Sequence, residues 1–423
     1  MPEAKDSDNE CGTRRALIVG GSMAGMFAAL LLRRHGWRVD VFERSGEAMA
    51  SRGAGLATHP ELADALTAAG IDPESALAVS LAGRHIIDRA GDVVESHPLP
   101  QRMTSWDLLY RRLREALPDD CYHQGTRFDE LEAVAGGVRA TFAGGRVETG
   151  DLLIGADGVQ SEVREQVLPE VRPRYAGYVA WRGLVPEAAV SEATRRALAE
   201  HIIFSLPPGE QTLSYPIAGE GDGEQAKARR LNWVWYRQAR SAAEQDALLT
   251  GLDGKRRAVS IPPRQMRAEA IATMRADAEE RLPPQHTELI RLTDHPFLQG
   301  IFDLQCPEMV FGRTLLLGDA AFVARPHTGY GVTKAAEDAV ALAHCLAAAG
   351  DDIESGLAEW GSLRLAAGRQ TVERGRLLGS LLDADREAVG GDSFGLDRDV
   401  ASVVLTETAI SGSMAATSRA VAR

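Results

Sequence analysis

The fold of this chain is decided by the stretch Ala16-Leu17-Ile18-Val19-Gly20-Gly21-Ser22-Met23-Ala24-Gly25. Its first four residues are an apolar run, which predicts a strand buried on both faces. A helix is predicted over 26–35, where Leu, Ala and Phe recur at helical spacing, and a second strand over 38–42, directly before Glu43. A strand, a glycine-rich turn, a helix and an acid about 20 residues further on form the β-α-β unit that holds a dinucleotide.

The glycine-rich turn is the first candidate binding site. Gly20, Gly21 and Gly25 let the backbone approach a pyrophosphate, and the helix N-terminus supplies N–H donors and the positive end of its dipole. Ser22 stands where the usual G-x-G-x-x-G pattern has its middle glycine. Glu43 is the candidate acceptor for a ribose hydroxyl. An ordinary tight turn before a helix is the alternative interpretation of the glycines.

Two further apolar runs end in an acid beside glycine. One leads into Asp157-Gly158 and the other into Gly318-Asp319, and each predicts a buried strand. The carboxyl ends of parallel strands are where α/β sheets bind ligands. After the second run, Pro326-His327-Thr328-Gly329-Tyr330-Gly331 opens a long predicted helix over 332–349. A helix N-terminus bracketed by glycines is a site for negative charge.

The middle of the chain has a different composition. Residues 172–300 contain aromatic-rich strand patterns separated by turn signals and no second glycine-rich β-α-β turn. This segment therefore predicts an antiparallel sheet. Its Tyr215, Trp233, Trp235 and Tyr236 would either form the core of that sheet or line a flat pocket for an aromatic ring.

Together these elements predict an α/β protein in which a Rossmann-like domain is interrupted by an antiparallel-sheet domain and completed by a C-terminal helical region. The first part of the Rossmann-like domain is predicted over 14–171, with meander strands and some substrate-side loops. The inserted substrate domain is predicted over 172–300. Residues 301–390 would return to the Rossmann-like domain and add long helices, and 391–423 would form a C-terminal tail. Because the last 20 or so residues are rich in Ser, Ala and Thr, they predict a poorly ordered tail or a contact in a homo-oligomer.

The composition excludes several classes of protein. The 423 residues carry a formal net charge of -13, which argues against nucleic acid or an anionic membrane surface as a partner. Cys11, Cys121, Cys306 and Cys345 lie far apart, which is typical of reduced thiols and not of a metal site. Residues 1–13 lack the apolar core of a signal peptide, and no apolar run is long enough to span a membrane. We therefore expect a cytoplasmic protein without a metal.

Three motifs in this order, at 20–43, 155–164 and 318–331, make the chain similar to the single-component FAD-dependent aromatic hydroxylases, the group related to p-hydroxybenzoate hydroxylase. Within that group the chain resembles most the branch that acts on dihydroxypyridines, and Ser22 matches that branch. The likeness to this branch rests on Gly20-Gly21-Ser22, Thr104-Ser105-Trp106-Asp107, residues 175–183, Tyr215-Pro216-Ile217 and Gly318-Asp319-Ala320-Ala321.

The resemblance implies a role for each motif in a Rossmann-like FAD-binding domain. The first motif with Glu43-Arg44 would hold the AMP half of FAD, Asp157-Gly158 would serve FAD and the reductant, Asp319 would bind the ribityl chain, and Gly329-Tyr330-Gly331 would face the flavin ring. Met23, Phe128, Pro326 and Thr328 complete the implied cofactor-binding set. FAD would stay bound, whereas NADPH or NADH would bind only transiently.

The reaction implied by the resemblance is oxygen insertion into an electron-rich carbon of a small hydroxylated aromatic or pyridine ring. NADPH or NADH reduces FAD, O₂ adds at flavin C4a, and the hydroperoxide transfers its distal oxygen to the ring. A ring hydroxyl ortho or para to the attacked carbon should lose its proton, so a base or hydrogen-bond acceptor is needed nearby. Tyr215 and His59 are the candidates for this catalytic group.

Other functions remain open at this point. A flavin-dependent halogenase shares the FAD fold, and Trp233-Val234-Trp235 is similar to the start of its W-x-W-x-I-P motif. Here Tyr236-Arg237 replaces the ending, and none of the four lysines is an obvious halogenating residue. Another FAD-fold oxidoreductase is a further alternative. A non-enzymatic FAD-fold binder, such as an escort protein for lipidated partners, would carry little flavin.

Overall fold

A computed structural model describes residues 14–46, 54–76, 78–220, 228–382 and 400–411. The strands of these ranges are β1 (Arg15–Val19), β2 (Arg38–Glu43), β3 (Gly55–Thr58), β4 (Val79–Leu81), β5 (Gly83–Ile87), β6 (Val93–His97), β7 (Gln101–Ser105), β8 (Tyr122–Gln124), β9 (Phe128–Val134), β10 (Gly137–Phe142), β11 (Arg146–Gly150), β12 (Leu152–Gly155), β13 (Arg174–Pro186), β14 (His201–Ser205), β15 (Gln211–Ile217), β16 (Arg230–Gln238), β17 (Ser260–Ile261), β18 (Phe297–Gln305), β19 (Val310–Phe311), β20 (Thr314–Leu316) and β21 (Phe322–Val323). The α-helices are α1 (Met23–Arg34), α2 (Pro60–Ala68), α3 (Trp106–Ala116), α4 (Glu162–Val167), α5 (Glu192–Leu198), α6 (Ala242–Leu248), α7 (Ala268–Arg281), α8 (Pro284–Leu292), α9 (Gly331–Ala349), α10 (Ile353–Gly379) and α11 (Val400–Glu407).

The first sheet is the Rossmann-like sheet, with strand order β19-β20-β12-β1-β2-β8. Its neighbours are parallel except for the antiparallel pair β19–β20. Near the end of β1, Val19 pairs with Gly155 of β12 on one side and with Phe42 of β2 on the other. The apolar strands β1 and β12 are buried because helices and strands cover both of their faces. The predicted α/β class and its β-α-β unit are confirmed.

Helix α1 begins three residues earlier than the sequence pattern predicts. Ser22 has an extended backbone and occupies the N-cap position, so helical geometry begins at Met23. The Ser22 side chain makes no capping hydrogen bond, and the first turn contains no acid. The first N–H groups of α1 are therefore left without a side-chain cap at the carboxyl end of β1.

The second, large sheet has the strand order β17-β18-β13-β16-β15-β14-β5-β6, and β21 also pairs with β18. Its neighbours are antiparallel except β14 and β5, which run parallel with His201 opposite Gly83. The chain therefore enters this sheet twice. Two of its strands come from 83–97, ahead of the segment 172–300 that supplies most of the others.

The two faces of the large sheet have different roles. On the outer face Trp181, Trp233 and Trp235 are buried in one core with residues of α7 and α8. On the opposite face Tyr178 and Tyr236 lie in a separate cluster, and Tyr236 lines a cavity. Side chains alternate along a strand. Of the two alternatives left open for these aromatic residues, Trp233 and Trp235 therefore form core, whereas Tyr236 lines the cavity.

The end of the described chain is a docked helix. Val404 and Leu405 of α11 are buried in one cluster with Ile86 of β5 and Tyr215 of β15. A C-terminal tail was predicted over 391–423, and the structure differs over 400–411. The apolar stripe of α11 is short and lies among Ser, Ala and Thr, so composition alone conceals it. Across the described ranges, none of the helices has the length and apolar content that crossing a membrane requires.

Candidate active site

Two adjoining cavities lie between the Rossmann-like sheet and the large sheet. The small cavity, of about 140 Å³, lies at the carboxyl ends of β1, β2 and β12, and the large cavity, of about 340 Å³, extends to the inner face of the large sheet. Ser22, Ala156 and Gly158 line both cavities. The two cavities therefore form one groove, which reaches from the first glycine-rich turn to Tyr236.

The glycine-rich turn is too crowded for side chains. Gly20 has φ +109°, and a Cβ there would lie 2.6 Å from the carbonyl carbon of Ala156. At Gly21 a Cβ would overlap the hydroxyl of Tyr122, and at Gly25 it would overlap the carbonyl oxygen of Gly20. The turn therefore brings backbone, and the uncapped N-terminus of α1, directly to the groove. This is the arrangement that binds a pyrophosphate.

Glu43 holds the glycine-rich turn as well as lining the small cavity. The N–H of Gly21 donates to Glu43 Oε2 at 2.8 Å, and the N–H of Ser45 donates to Oε1 at 2.8 Å. The side chain is buried and lies beside Arg44 and Phe128 in the cavity wall. Both carboxylate oxygens are thus used by backbone, and each retains a lone pair for a further donor.

Asp157 has one satisfied and one unsatisfied oxygen. Its Oδ2 accepts from the N–H groups of Glu162 at 2.7 Å and Val163 at 3.1 Å, at the start of α4. Its Oδ1 is buried and makes no hydrogen bond within the part of the chain that the structure describes. Burial raises the pKa of this carboxyl. Since Asp157 lines the small cavity, its carboxyl group is a candidate to bind a hydroxyl or amine of a nucleotide.

Asp319 lies at the far end of the groove, in a 3-10 turn over Gly318–Ala320. Its side chain is exposed to the large cavity, while its position deep in the protein raises the pKa of the carboxyl. Lys334 fixes the turn, because its buried Nζ donates to Gly318 O at 3.0 Å and to Asp338 Oδ2 at 3.2 Å. Asp319 therefore presents an acceptor from a rigid turn beside the N-terminus of α9.

Most of the predicted cofactor residues converge on this groove. The small cavity is lined by Gly20, Ser22, Glu43, Arg44, Phe128, Asp157 and Gly158. The large cavity is lined by Ser22, Met23, Gly158, Asp319, Pro326, Thr328, Gly329, Tyr330 and Gly331. Gly21 and Gly25 line neither cavity. They contribute indirectly, because they allow the turn and α1 to pack closely.

The two predicted catalytic residues lie in different places. Tyr215 lines the large cavity, and its hydroxyl makes no hydrogen bond to any described residue. Burial raises the pKa of this hydroxyl, so it stays protonated. His59 lines neither cavity: its Nδ1 is 2.9 Å from Thr333 Oγ1, and its Nε2 is 3.4 Å from Ala409 O. Burial lowers the pKa of His59.

Arg182, Gln211, His327 and Thr408 are polar residues of the large cavity that are absent from the predicted site. His327 Nε2 lies 2.9 Å from the hydroxyl of Tyr178, and its Nδ1 is buried without a partner among the described residues. Burial lowers the pKa of His327 to about 3, so the ring is neutral near pH 7. Period-two alternation from Tyr215 points to Gln211, but nothing local in the sequence distinguishes Arg182 or His327.

The groove fits FAD. It offers a glycine turn and helix N-terminus for a pyrophosphate, Glu43 and Asp157 for a nucleoside, and Asp319 with the start of α9 for the flavin end. A Rossmann-like sheet with this groove, beside a large antiparallel sheet, defines the class of FAD-binding flavoproteins.

Comparison with known proteins agrees with this class. A family model described as FAD binding domain-like matches residues 175–303, and an NAD(P)-binding Rossmann-like model matches 18–51. The curated 2,6-dihydroxypyridine 3-monooxygenase of Paenarthrobacter nicotinovorans is 31% identical over 93% of this chain and 98% of that protein. The solved 2,6-dihydroxypyridine-3-hydroxylase from Arthrobacter nicotinovorans aligns with TM-score 0.83 and 30% identity, covering 92% and 96% of the two chains. The 6-hydroxynicotinate 3-monooxygenase of Pseudomonas fluorescens is 27% identical over 78% of this chain and 82% of its own.

The chain therefore belongs to the FAD-dependent aromatic monooxygenases. FAD is its cofactor, NAD(P)H is its reductant, and it hydroxylates a small aromatic ring that already carries a hydroxyl, with O₂ as the oxygen donor. This confirms the resemblance noted in the sequence. Two observations argue against the halogenase alternative. Trp233 and Trp235 face away from the cavity, and neither of the described lysines, Lys255 and Lys334, lines it.

We expect Glu43→Ala and Asp319→Ala each to weaken FAD binding by roughly tenfold to a hundredfold, because a hydrogen bond to a charged acceptor contributes about 1.5–3 kcal/mol. The measurement is a titration of flavin-free protein with FAD. The matched control is Asp92→Ala, which removes an exposed acid from the turn before β6 and should bind FAD like the wild type. Two variants that purify saturated with flavin and bind it as tightly as the wild type would contradict the assignment.

Proposed function

We propose that the ring hydroxylated by this protein is a small monocyclic pyridinol or phenol, bound in the large cavity against the inner face of the large sheet. Two relatives named above act on hydroxylated pyridines, which supports a pyridine ring. The observation that carries the proposal is the lining of the cavity. Leu213, Val234 and Tyr236 provide an apolar and aromatic floor, facing the flavin-side residues Asp319 and Gly331 across a space of about 340 Å³.

The side chains on this floor have two tasks. Bound FAD, once reduced by NAD(P)H, supplies the activated oxygen. Ile202, Phe204, Leu213 and Val234 hold the ring through apolar contact and exclude water from the site. Few polar groups interrupt this wall, and these would fix the orientation of the ring.

One of those polar groups is His327, whose ring forms part of the cavity wall. We assign the hydrogen bond between the Tyr178 hydroxyl and His327 Nε2, which lie 2.9 Å apart, so that the hydroxyl is the donor. In that arrangement the proton of the neutral imidazole sits on Nδ1, the nitrogen that lacks a partner among the described residues. His327 would therefore donate to a ring oxygen as that oxygen loses its proton.

Tyr215 is the second group that we assign to the ring oxygen. Because its raised pKa keeps the hydroxyl protonated, Tyr215 would act as a donor that stabilises the ionised ring hydroxyl and would not take up its proton. His59 is buried behind the start of α9, between Thr333 and Ala409, and we assign to it a structural role at that contact.

We predict that Tyr215→Phe retains FAD and substrate binding but transfers oxygen to the ring about tenfold to a hundredfold more slowly, because a donor to a charged oxygen is lost. NAD(P)H would still be consumed, and O₂ would leave as H₂O₂. The measurement is product and H₂O₂ formed per NAD(P)H consumed. Tyr175→Phe, which removes a hydroxyl bonded to Ala239 O away from the cavity, is the control. Unchanged product per NAD(P)H in Tyr215→Phe would make Tyr215 structural.

The proposed function itself is tested with a panel of hydroxylated pyridines and phenols. We expect at least one of them to accelerate NAD(P)H consumption and to yield a product heavier by one oxygen atom. If the protein purifies with FAD, yet no member of the panel accelerates consumption or gains oxygen, the proposed substrate class is wrong.

A further inference from the structure

We propose that the large cavity binds its substrate as an anion, with a negatively charged oxygen group of the ring held by Arg182. This inference rests on the proposed function, since it specifies the charge of the ring that the same cavity would hydroxylate.

Arg182 lies on the cavity floor. It belongs to β13, where it pairs with Val234 of β16 on one side and with Phe297 of β18 on the other. Alternation along β13 puts Arg182 on the same face as Tyr178 and Ala180, opposite to Trp181. The side chain is partly buried and lines the large cavity. A cation therefore projects from an otherwise apolar and aromatic surface.

Arg182 lacks the partners that neighbouring arginines have. No carboxylate of the described residues lies within 4.0 Å of it, and its buried Nε makes no hydrogen bond to them. In the same domain Arg230 pairs with Asp107 and Arg237 pairs with Asp277. An unpaired charge that is partly removed from water is costly unless a ligand compensates it. The missing partner is therefore expected to come from the substrate.

The groups around Arg182 do not neutralise it. Tyr215 and Tyr236 are protonated because burial raises the pKa of each, and His327 is neutral. The charge of Arg182 also affects these three groups, and so contributes to the low pKa of His327. Asp319 is the one carboxylate among the described lining residues. The charged groups that interact with it are Lys334 and Asp338, and Arg182 is not among them. The floor of the cavity therefore keeps a net positive charge.

The ligand chemistry that fits is an oxyanion on a planar ring. A carboxylate matches the planar fork of a guanidinium and accepts two parallel hydrogen bonds. An ionised ring hydroxyl presents one oxygen to the same fork. Either source supplies a single negative charge on the ring, and the experiment below separates the two.

The test measures binding to oxidised, FAD-saturated protein without turnover, by the change in the flavin absorbance spectrum. The probes are 6-hydroxynicotinate and its neutral isostere 6-hydroxynicotinamide. We expect the wild type to bind the acid at least about tenfold more tightly than the amide, which is typical for a charge-assisted hydrogen bond. In Arg182→Gln this preference should disappear through weaker binding of the acid, whereas Arg182→Lys should keep part of it.

A second arm uses 2,6-dihydroxypyridine at a series of pH values. If an ionised ring hydroxyl is the source of the charge, affinity should rise as the ligand ionises, and Arg182→Gln should remove that rise. FAD content and melting temperature identify any variant that misfolds. Arg291→Gln, which removes an exposed cation from α8, is the matched control and should behave like the wild type in both arms.

The outcomes separate this inference from the proposed function. If neither the acid preference nor the pH-dependent rise exists in the wild type, or if both persist in Arg182→Gln, the anion inference is overturned, even where the panel of rings is hydroxylated. If ligand charge matters and depends on Arg182 while none of the rings gains oxygen, the inference stands and the proposed substrate class fails.

Discussion

Replacing Gly25 by valine is expected to remove most of the affinity for FAD. A Cβ at this position would overlap the carbonyl oxygen of Gly20 and lie 3.2 Å from Cγ2 of Ile18. Both are held by the β1–α1 packing, so α1 itself would have to move away from the sheet. The uncapped N–H groups at the start of α1 would then leave the position that suits a pyrophosphate. We expect a loss of affinity of about a hundredfold or more, equivalent to about 3 kcal/mol, the upper range for overpacking.

The measurement is the flavin content of purified Gly25→Val and a titration of its flavin-free form with FAD. Far-UV circular dichroism shows whether the fold survives. The control is Gly46→Ala, because Gly46 follows β2 on the surface and a Cβ there meets no atom within 4 Å. A yellow, fully saturated Gly25→Val protein would refute the close packing described for this turn.

Replacing Arg84 by methionine is expected to detach α11 from the large sheet. Arg84 is completely buried on β5, and its guanidinium donates to the carbonyl oxygens of Val404 at 3.0 Å, Leu405 at 3.1 Å and Thr408 at 2.7 Å. It also donates to Gln101 Oε1 at 2.6 Å. The cation thus satisfies the last carbonyls of α11 and interacts favourably with the negative end of its dipole.

Without the guanidinium those carbonyls would lose their partners in a buried place, at about 1–3 kcal/mol for each. The other contacts of this segment are the burial of Val403–Leu405 and the hydrogen bonds that Arg374 donates to Glu407 O and Gln101 donates to Ala409 O. Thr408 and Ala409 line the large cavity, so detachment would open its wall. We therefore expect substrate affinity to fall about tenfold or more, while FAD stays bound to the residues of the small cavity.

Hydrogen exchange over 400–411 measures the detachment directly, and a substrate titration measures its effect on binding. Arg102→Met is the matched control, since it removes a half-buried arginine that pairs with Glu74 and lies on β7, in a different sheet from Arg84. Slow exchange over 400–411 in Arg84→Met, equal to that of the wild type, would show that other contacts hold the helix.

The sequence was most informative where the site is built from local elements. Gly20, Glu43, Asp157 and Asp319 each lie directly after or at the end of a short apolar strand, and all line the predicted groove. The parallel order of these strands brings their carboxyl ends to one edge. A pattern of about ten residues is therefore enough to find each of them.

The substrate side of the site could not be predicted in this way, because it depends on distant pairings. The parallel pair β5–β14 joins Gly83 to His201, and α11 reaches the cavity wall only through its contact with Arg84. His59 and His327 both stand beside a helix start, yet only His327 lines the cavity. Nothing in either local sequence separates the two histidines.

The tryptophans show what pattern alone leaves undecided. Alternation in β16 requires Trp233 and Trp235 to share a face and Tyr236 to take the other. Both faces of this strand are apolar and buried, so the sequence does not say which one meets a ligand. That choice follows from α7 and α8, which cover the tryptophan face.

One face of the large sheet lines the cavity, and the other face packs against helices. This difference also affects how such a gene diversifies. Substitutions at Leu213, Val234 or Phe204 change the shape offered to a ring, whereas the strands remain anchored from behind by Trp233 and Trp235. Natural selection can then explore new substrates through point changes on one face, while the packing of the tryptophan face is preserved. A duplicated copy of this gene would acquire a new aromatic compound most readily through residues at every second position of these strands.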